Sequence, residues 1–394
     1  MRFSYYSFLL SCLCVVISGC TVTNSLKNVF NKKSENSIEA PLITPLQDIE
    51  ARIKIIKIWS KNIGKGFQDE SLKLHPAYIS GQIFVADLSG DLLGIDANTG
   101  NNIWKHHTDL TITGGPGVSQ KLIVIGSEDG DIFAYSRENG ELVWTSKVSS
   151  EVLSVPQIND SFVVVRAGDG KLFCLNAENG KHVWIHDVPV PALTLRGTSS
   201  PTIVGDIVIA GFDDGRLVAI ELNTGKVVWE TNVSLASGRS QLERIIDIDS
   251  DPIVAGKDVY ASTFQGHFAT IALESGNIVW TRDIFSHVGF VVDEENIYIT
   301  DEKSYVWCIE RLTGTVVWQQ KDLSGRMVTK STIIGNFVVV GDTEGYLHWI
   351  DKNDGQFIAR KKISKNAILV PPIATPDILY TYSSDGTLSA YTYH

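Results

Sequence analysis

A pair of glycine turns followed by a tryptophan recurs along most of this chain. The first turn residue returns at intervals of 40, 40, 45, 51, 38, 41 and 41 residues. A second glycine stands ten residues after most of these positions, and a tryptophan follows four residues later. Such regularity indicates eight similar units. The first-turn positions are Gly90, Gly130, Gly170, Gly215, Gly266, Ser304, Gly345 and Gly386.

Each unit has the pattern of four short strands. In the unit around Gly215, a strand follows Pro201, alternating residues occupy 206–210 and 217–221, and a last apolar run covers 226–229. Glycine suits the turns because hairpin turns need a positive φ. Periods of 40 to 50 residues with four strands are typical of a β-propeller. We therefore predict an all-β fold, an eight-bladed β-propeller of four-stranded antiparallel blades.

The eighth unit is incomplete at the carboxyl terminus. It begins normally at Pro371, but the chain ends at His394, before a tryptophan-bearing strand can form. Residues 52–60, which precede the first complete unit, alternate correctly and contain Trp59. We predict that this N-terminal strand completes the last blade and closes the ring, because closure removes exposed strand edges.

The repeated tryptophan is predicted to pack between neighbouring blades. The seventh unit departs from the pattern, with Ala359 at the tryptophan position and Trp349 in a slot that is usually small. This suggests an exchange of volume between the two positions. Cys174 and Cys308 occupy the same slot in units three and six, so we expect both thiols to be buried and unpaired.

The amino terminus has the features of a lipoprotein signal peptide. An apolar run over residues 3–16 follows Arg2 and is too short to cross a bilayer as a helix. It ends in ISGC at residues 17–20, which resembles a bacterial lipobox, in which the thiol of Cys20 receives a diacylglycerol. The alternative is an ordinary secretory signal that happens to contain a cysteine.

These features predict three segments. Residues 1–19 are the signal peptide, residues 20–45 are the lipidated cysteine and a flexible tether rich in Asn, Ser, Lys and Thr, and residues 46–394 are the propeller. Thr21, rather than an aspartate, follows the cysteine, which resembles sorting to the outer membrane. We expect the lipid to be the only membrane attachment.

Charge and motifs exclude several functions. The chain has 34 basic and 45 acidic residues, a net charge of −11, which argues against nucleic acid as a partner. The histidines lack zinc spacing, and the Asp96–Gly100 turn lacks the glutamate of a calcium loop. No nucleotide-binding or serine-hydrolase motif occurs. We therefore predict no catalytic, metal-binding or cofactor-binding residues.

The loops between units are longer around the fourth unit. From the tryptophan to the next leading proline is 12 residues after Trp104 and Trp144, but 17 after Trp184 and 23 after Trp229. Both enlarged loops must emerge on one rim of the disc. Insertions in a repeat protein usually build its binding face, so we predict that this rim carries the function.

The repeat core from Gly215 to Trp229 (GRLVAIELNTGKVVW) resembles that of the quinoprotein (PQQ-type) propellers. With the lipobox and eight units, the chain resembles the BamB family of outer-membrane lipoproteins. The resemblance implies a non-enzymatic subunit of the β-barrel assembly complex on the periplasmic face of the outer membrane. It also implies binding to BamA POTRA domains, association with the other subunits, and assistance to nascent outer-membrane proteins.

The resemblance further implies which residues bind the partner. In that family an L-x-L-R element and a D-x-D element in the two enlarged loops contact BamA. The matching positions here are Leu193, Leu195, Arg196, Asp247 and Asp249. The alternative is that the leucines seal the rim of the propeller and that the acids cap turns.

Two other functional classes stay open. A quinoprotein dehydrogenase shares the repeat, but such enzymes are longer, and many contain adjacent cysteines, which this chain lacks. A periplasmic scaffold with a different partner is the third class, and nothing outside the two loops argues against it.

Overall fold

The computed structural model describes residues 43–66, 72–191, 193–195, 198–234 and 245–394. Within these residues the chain forms strands and turns without a helix, and the strands assemble into eight sheets. The sheets are the blades of an eight-bladed β-propeller, as predicted. The innermost strands of successive blades contact one another around the central channel.

The strands follow the order of the repeats. Two strands precede blade one, namely β1 (Ile55–Asn62) and β2 (Lys73–Leu74). Blades one and two contain β3 (Ala77–Ile79), β4 (Gln82–Ala86), β5 (Asp91–Asp96), β6 (Asn102–His107), β7 (Ile112–Val118), β8 (Leu122–Ser127), β9 (Asp131–Ser136) and β10 (Leu142–Lys147). Blades three and four contain β11 (Gln157–Ile158), β12 (Phe162–Arg166), β13 (Lys171–Asn176), β14 (His182–Asp187), β15 (Thr202–Val204), β16 (Ile207–Gly211), β17 (Arg216–Glu221) and β18 (Val227–Asn232).

The second half of the ring repeats this arrangement. Blades five and six contain β19 (Ile253–Ala255), β20 (Asp258–Ser262), β21 (Phe268–Ala272), β22 (Ile278–Arg282), β23 (Gly289–Val292), β24 (Asn296–Thr300), β25 (Val306–Glu310) and β26 (Val316–Gln320). Blades seven and eight contain β27 (Thr332–Ile334), β28 (Phe337–Gly341), β29 (Tyr346–Asp351), β30 (Phe357–Lys362), β31 (Ile373–Ala374), β32 (Leu379–Tyr382) and β33 (Thr387–Tyr393).

The N-terminal strand closes the ring as predicted. Strand β1 pairs antiparallel with β33, with Ile55 opposite Tyr393 and Asn62 opposite Thr387. The sheet order β1-β33-β32-β31 makes β1 the outer strand of blade eight. The last blade is thus built from both ends of the folded chain.

Each repeated tryptophan docks on a glycine of the next blade. A Cβ atom added to Gly100 would stand 2.7 Å from Cδ2 of Trp59, so only glycine leaves room for the ring. The indole N–H of Trp59 donates a 2.9 Å hydrogen bond to the Ala97 carbonyl in the same turn. Equivalent indole bonds to the next blade are made by Trp104, Trp144, Trp184, Trp229 and Trp318. The predicted packing of tryptophan between blades is confirmed.

Blade seven exchanges the large and small members of one cross-strand pair. Trp349 lies directly opposite Ala359, where blade four pairs Ala219 with Trp229. The Trp349 ring is fully buried and packs against Tyr393, with ring centroids 5.1 Å apart. The small Ala359 on the outer strand β30 is therefore compensated by the large Trp349 on the neighbouring strand β29.

Two details of the turns and thiols complete the comparison with the sequence. Ser304 has a φ of 67° and occupies a first-turn position without glycine, as the repeat predicts. In blade five the positive φ lies one residue earlier, at Gln265. There Gly266 is required by crowding instead, because an added Cβ would stand 2.0 Å from Oγ1 of Thr263. Cys174 and Cys308 are buried and free, as expected.

The folded body begins before residue 46. The N–H of Thr44 bonds to the Ser324 carbonyl at 3.0 Å, and the Thr44 carbonyl accepts a 3.0 Å bond from the buried Arg326 guanidinium. Residues from Ile43 onward form one compact unit, so the propeller includes three residues that the sequence assigned to the tether. The signal peptide and Cys20 lie outside the described residues, and their roles stay predictions.

Candidate interaction surface

Interblade loops and first turns share one face of the propeller. The N–H of Val148, at the end of an outer strand, bonds to the Gly130 carbonyl at 2.8 Å. In blade four the N–H of Val233 bonds in the same way to the Gly215 carbonyl at 2.9 Å. The two enlarged loops therefore lie on this face, which we name the loop face. We name their described residues, 188–191, 193–195, 198–201, 233–234 and 245–252, the loop pair.

The two enlarged loops bond directly to each other. The N–H of Leu195 donates a 2.6 Å hydrogen bond to Oδ2 of Asp247. The N–H of Ser200 donates another, also 2.6 Å long, to Oδ1 of Asp251. Both acceptors are carboxylates of the second loop, and both donors are main-chain groups of the first. Two of the residues that the sequence singled out, Leu195 and Asp247, are thus in contact.

Asp247 is an internal residue rather than an exposed ligand. Only 1% of its surface is accessible, and its Oδ1 has no hydrogen-bond partner among the described residues. Burial raises its pKa to about 7, partly opposed by the Leu195 N–H, and the nearby Asp249 carboxylate raises it further. The carboxylate is therefore enclosed in this structure, and the predicted contact of Asp247 with a partner stays a prediction. Next to it along the chain, the N–H of Ile248 bonds to the Phe212 carbonyl of blade four at 3.2 Å.

Asp249 lies closer to the channel. Burial is the main reason that its pKa is raised to about 6, although Lys73 opposes the shift. The side chain is partly accessible and lines a channel cavity of about 270 Å³ together with Lys73 and Lys330. Asp247 and Asp249 are thus two residues apart but differ in surroundings.

A buried ion pair contacts the first loop of the loop pair. Arg166, at the end of β12, is fully buried, forms an ion pair with Asp213 and donates a 3.2 Å bond to the Ser199 hydroxyl. Its guanidinium lies 5.3 Å from the Phe212 ring centroid. It also exerts a favourable charge effect on Asp247. This one cation therefore connects blade three to blade four and to the first enlarged loop.

Sequence reasoning missed Arg166 although a signal was present. Corresponding strand-end positions hold small residues in six other blades, so a charged residue there breaks the repeat. Those six residues are Ala86, Gly126, Gly211, Ser262, Thr300 and Gly341.

The outward part of the loop pair is apolar. Leu193 is 41% exposed, and Val190 on the same loop is also exposed. Leu195 is half-buried, with its main chain fixed by Asp247. Arg196 lies outside the described residues, so its predicted role is untested. The loop thus presents an apolar side chain from a base that hydrogen bonds hold in place.

No helix within the described ranges is long and apolar enough to span a membrane. Across those same ranges, the acidic, histidine and cysteine side chains form no group of three or more that could hold a metal ion.

Comparison with known proteins identifies the family. The family model described as outer membrane protein assembly factor BamB matches residues 88–320. A relative of that name from Alkalilimnicola ehrlichii is 45% identical over 345 residues, which cover 88% of this chain and 90% of the relative. The chain belongs to the BamB family. A second BamB relative, from Pseudomonas aeruginosa, is 40% identical over 91% of this chain and 94% of its own length.

Solved structures agree with this assignment. The crystal structure of BamB from Moraxella catarrhalis matches with a TM-score of 0.79 and 26% identity, covering 86% of this chain and all of that one. A quinohemoprotein alcohol dehydrogenase from Comamonas testosteroni matches with a TM-score of 0.70 and 12% identity, covering 86% of this chain and 76% of the enzyme. At that identity the likeness to the enzyme concerns the fold alone.

Proposed function

We propose that this protein is a non-enzymatic scaffold subunit of the complex that assembles outer-membrane β-barrel proteins. Through the loop pair it binds the POTRA domains of BamA, and it works beside the other subunits to assist insertion of nascent outer-membrane proteins. A lipid on Cys20 anchors it to the outer membrane, facing the periplasm. Membership in the BamB family supports this proposal.

The observation that carries the choice of surface is the bonding of the two enlarged loops to each other. Leu195 and Ser200 donate main-chain hydrogen bonds to Asp247 and Asp251, which keeps the loop that bears Leu193 in one conformation. A preorganised surface loses less conformational entropy on binding. An exposed leucine on such a base supplies apolar burial at the centre of an interface.

The acidic residues divide into two roles in this proposal. Asp247 fixes the shape of the first loop, because its carboxylate is enclosed and bonded to Leu195. Asp249 and Arg196 supply charge to the partner and reject mispaired surfaces. Leu193 and Leu195 provide the apolar area.

A binding measurement with a matched control tests the surface. Leu193→Ala should weaken capture of purified BamA POTRA domains about tenfold or more, the range expected for truncating a central apolar contact. Leu142→Ala is the control, because Leu142 is 53% exposed on an outer strand away from the loop pair. It should leave capture unchanged.

Three other results would contradict the proposal. Equal capture by both variants would reject the loop pair as the binding surface. Absence of capture by the unmodified protein, with recovery of another periplasmic partner, would favour the different scaffold. A quinone-dependent dehydrogenase activity of the purified protein would favour the enzyme class.

A further inference from the structure

Strand β2 lies inside the ring, where the repeat provides no strand. After β1 completes blade eight at the outer edge, the chain returns to the inside, and Lys73 and Leu74 pair parallel with Gly114 and Gly115 of β7. The resulting sheet has five strands, with β2 next to the innermost strand of blade two. Leu74 is fully buried. The repeat pattern does not predict this inserted strand.

From this position Lys73 reaches across to the second enlarged loop. Its ammonium Nζ lies 2.5 Å from Oδ1 of Asp251 and donates a 3.1 Å hydrogen bond to the Asp249 carbonyl. The side chain of Lys73 is only 16% exposed. One cation from the inner edge of blade two therefore holds both the main chain and a side chain of the loop that leads into blade five.

Asp251 also accepts a hydrogen bond from the first enlarged loop. The same oxygen that meets Lys73 accepts the Ser200 N–H at 2.6 Å. Burial pushes the pKa of Asp251 upward, but the charges of Lys73 and Lys330 and the Ser200 N–H outweigh it and keep the pKa below its usual range. Asp251 is therefore ionised at neutral pH. Lys73, Asp251 and Ser200 form a continuous connection from the channel to both loops.

We propose that Lys73 is a positioning residue for partner binding. Lys73 does not contact the partner itself. It holds the second loop in the position in which Asp251 and Asp247 accept hydrogen bonds from the N–H groups of the first loop. The inference rests on the proposed function for its effect on binding, whereas its effect on the loops is independent of that function. The channel cavity beside Lys73 gives room for a substituted side chain.

Amide hydrogen exchange by NMR in the full-length protein tests the effect on the loops. Lys73→Met should speed exchange at the Ser200 amide about tenfold, which corresponds to weakening one charge-assisted hydrogen bond. Lys73→Arg should keep exchange slow, because it retains the cation. Lys105→Met is the control, since Lys105 pairs with Asp91 at 2.7 Å within blade one.

Binding to BamA POTRA domains is measured on the same samples. We expect Lys73→Met to raise the dissociation rate about tenfold, Lys73→Arg to restore it, and the control to leave it unchanged. Asp251→Asn keeps an acceptor for the Ser200 N–H but loses the ion pair, so it should have the same effect as Lys73→Met. It replaces Lys73→Met in the test if that variant does not fold. Unchanged Ser200 exchange in both variants would overturn the proposal. Faster exchange in a protein that never binds POTRA domains would support the positioning role and reject the proposed function.

Discussion

The main-chain N–H of Leu195 donates a 2.6 Å hydrogen bond to the Asp247 carboxylate, 52 positions further along the chain. Between these residues lies the whole of blade four. The bond therefore joins the loop that enters the blade to the loop that leaves it. The apolar surface of the first loop and the buried Asp247 of the second loop therefore belong to one hydrogen-bonded unit.

Replacing Asp247 tests this bond directly. Asp247→Asn keeps an acceptor oxygen and should preserve both folding and partner capture. Asp247→Ala leaves the Leu195 N–H without its acceptor and should lower the free energy of unfolding by about 1–3 kcal/mol. Urea denaturation of the two variants checks the difference. Equal stability of Asn and Ala variants would show that the bond contributes nothing.

The buried carboxylate also predicts a pH dependence. The folded-state pKa of Asp247, about 7, lies above the ordinary value of 3.8 for an aspartate, so the folded protein holds this proton more tightly than the unfolded chain. Stability should therefore fall as pH rises from about 4 to about 7. Asp249, whose pKa is about 6, contributes in the same direction. Melting temperatures of the unmodified protein and Asp247→Asn should diverge over this range, with Asn gaining relative stability at the higher pH. Parallel curves would contradict the prediction.

Arg166 offers a test of the support beneath the loops. Arg166→Met leaves the Asp213 carboxylate buried without its cation and should cost about 3–5 kcal/mol of unfolding free energy. Adding Asp213→Asn should recover much of that loss, because no unpaired charge then stays buried. A double-mutant cycle by chemical denaturation measures the coupling. Additive losses would mean that the two side chains act independently.

The exchanged pair in blade seven predicts an asymmetry among the blades. In the other blades the tryptophan docks on the second-turn glycine of the next blade. Blade eight has no second turn, because its two outermost strands, β33 and β1, come from opposite ends of the folded chain. The N–H of Arg52 instead bonds to the Ile358 carbonyl. Ala359→Trp should therefore destabilise the protein, and adding Trp349→Ala should not restore it. Recovery of the original melting temperature by the double variant would contradict this explanation.

The sequence predicted most of the fold because the repeat itself is the fold. Turn glycines and tryptophans fixed the number of blades, and the missing last strand identified β1 as its replacement. These signals depend on local spacing and need no knowledge of distant contacts. The volume exchange between Trp349 and Ala359 was visible for the same reason.

The site was only partly predictable, because its decisive contacts lie outside the repeat. Loop lengths indicated the candidate surface, but a D-x-D sequence in a long loop does not reveal that the Asp247 side chain is buried. Lys73 lies in a segment without periodicity, and its role depends on a strand pairing with β7. Arg166 could have been found as a charged residue at a position that is small in six of the other seven blades, the exception being Tyr382 of blade eight.

Ring closure makes the pairing of β1 depend on residues 387–393. Ser60 and Ser389, 329 positions apart, share a 2.9 Å hydrogen bond across β1 and β33. During synthesis β1 is made first and has no pairing strand until residues 387–393 exist. A chain shortened by eight residues would keep seven ordinary blades yet leave β1 and β32 as bare edges that recruit other strands. The same truncation removes Leu388, Ala390 and Tyr391 from the core, so open strand edges and lost apolar burial act together to favour aggregation.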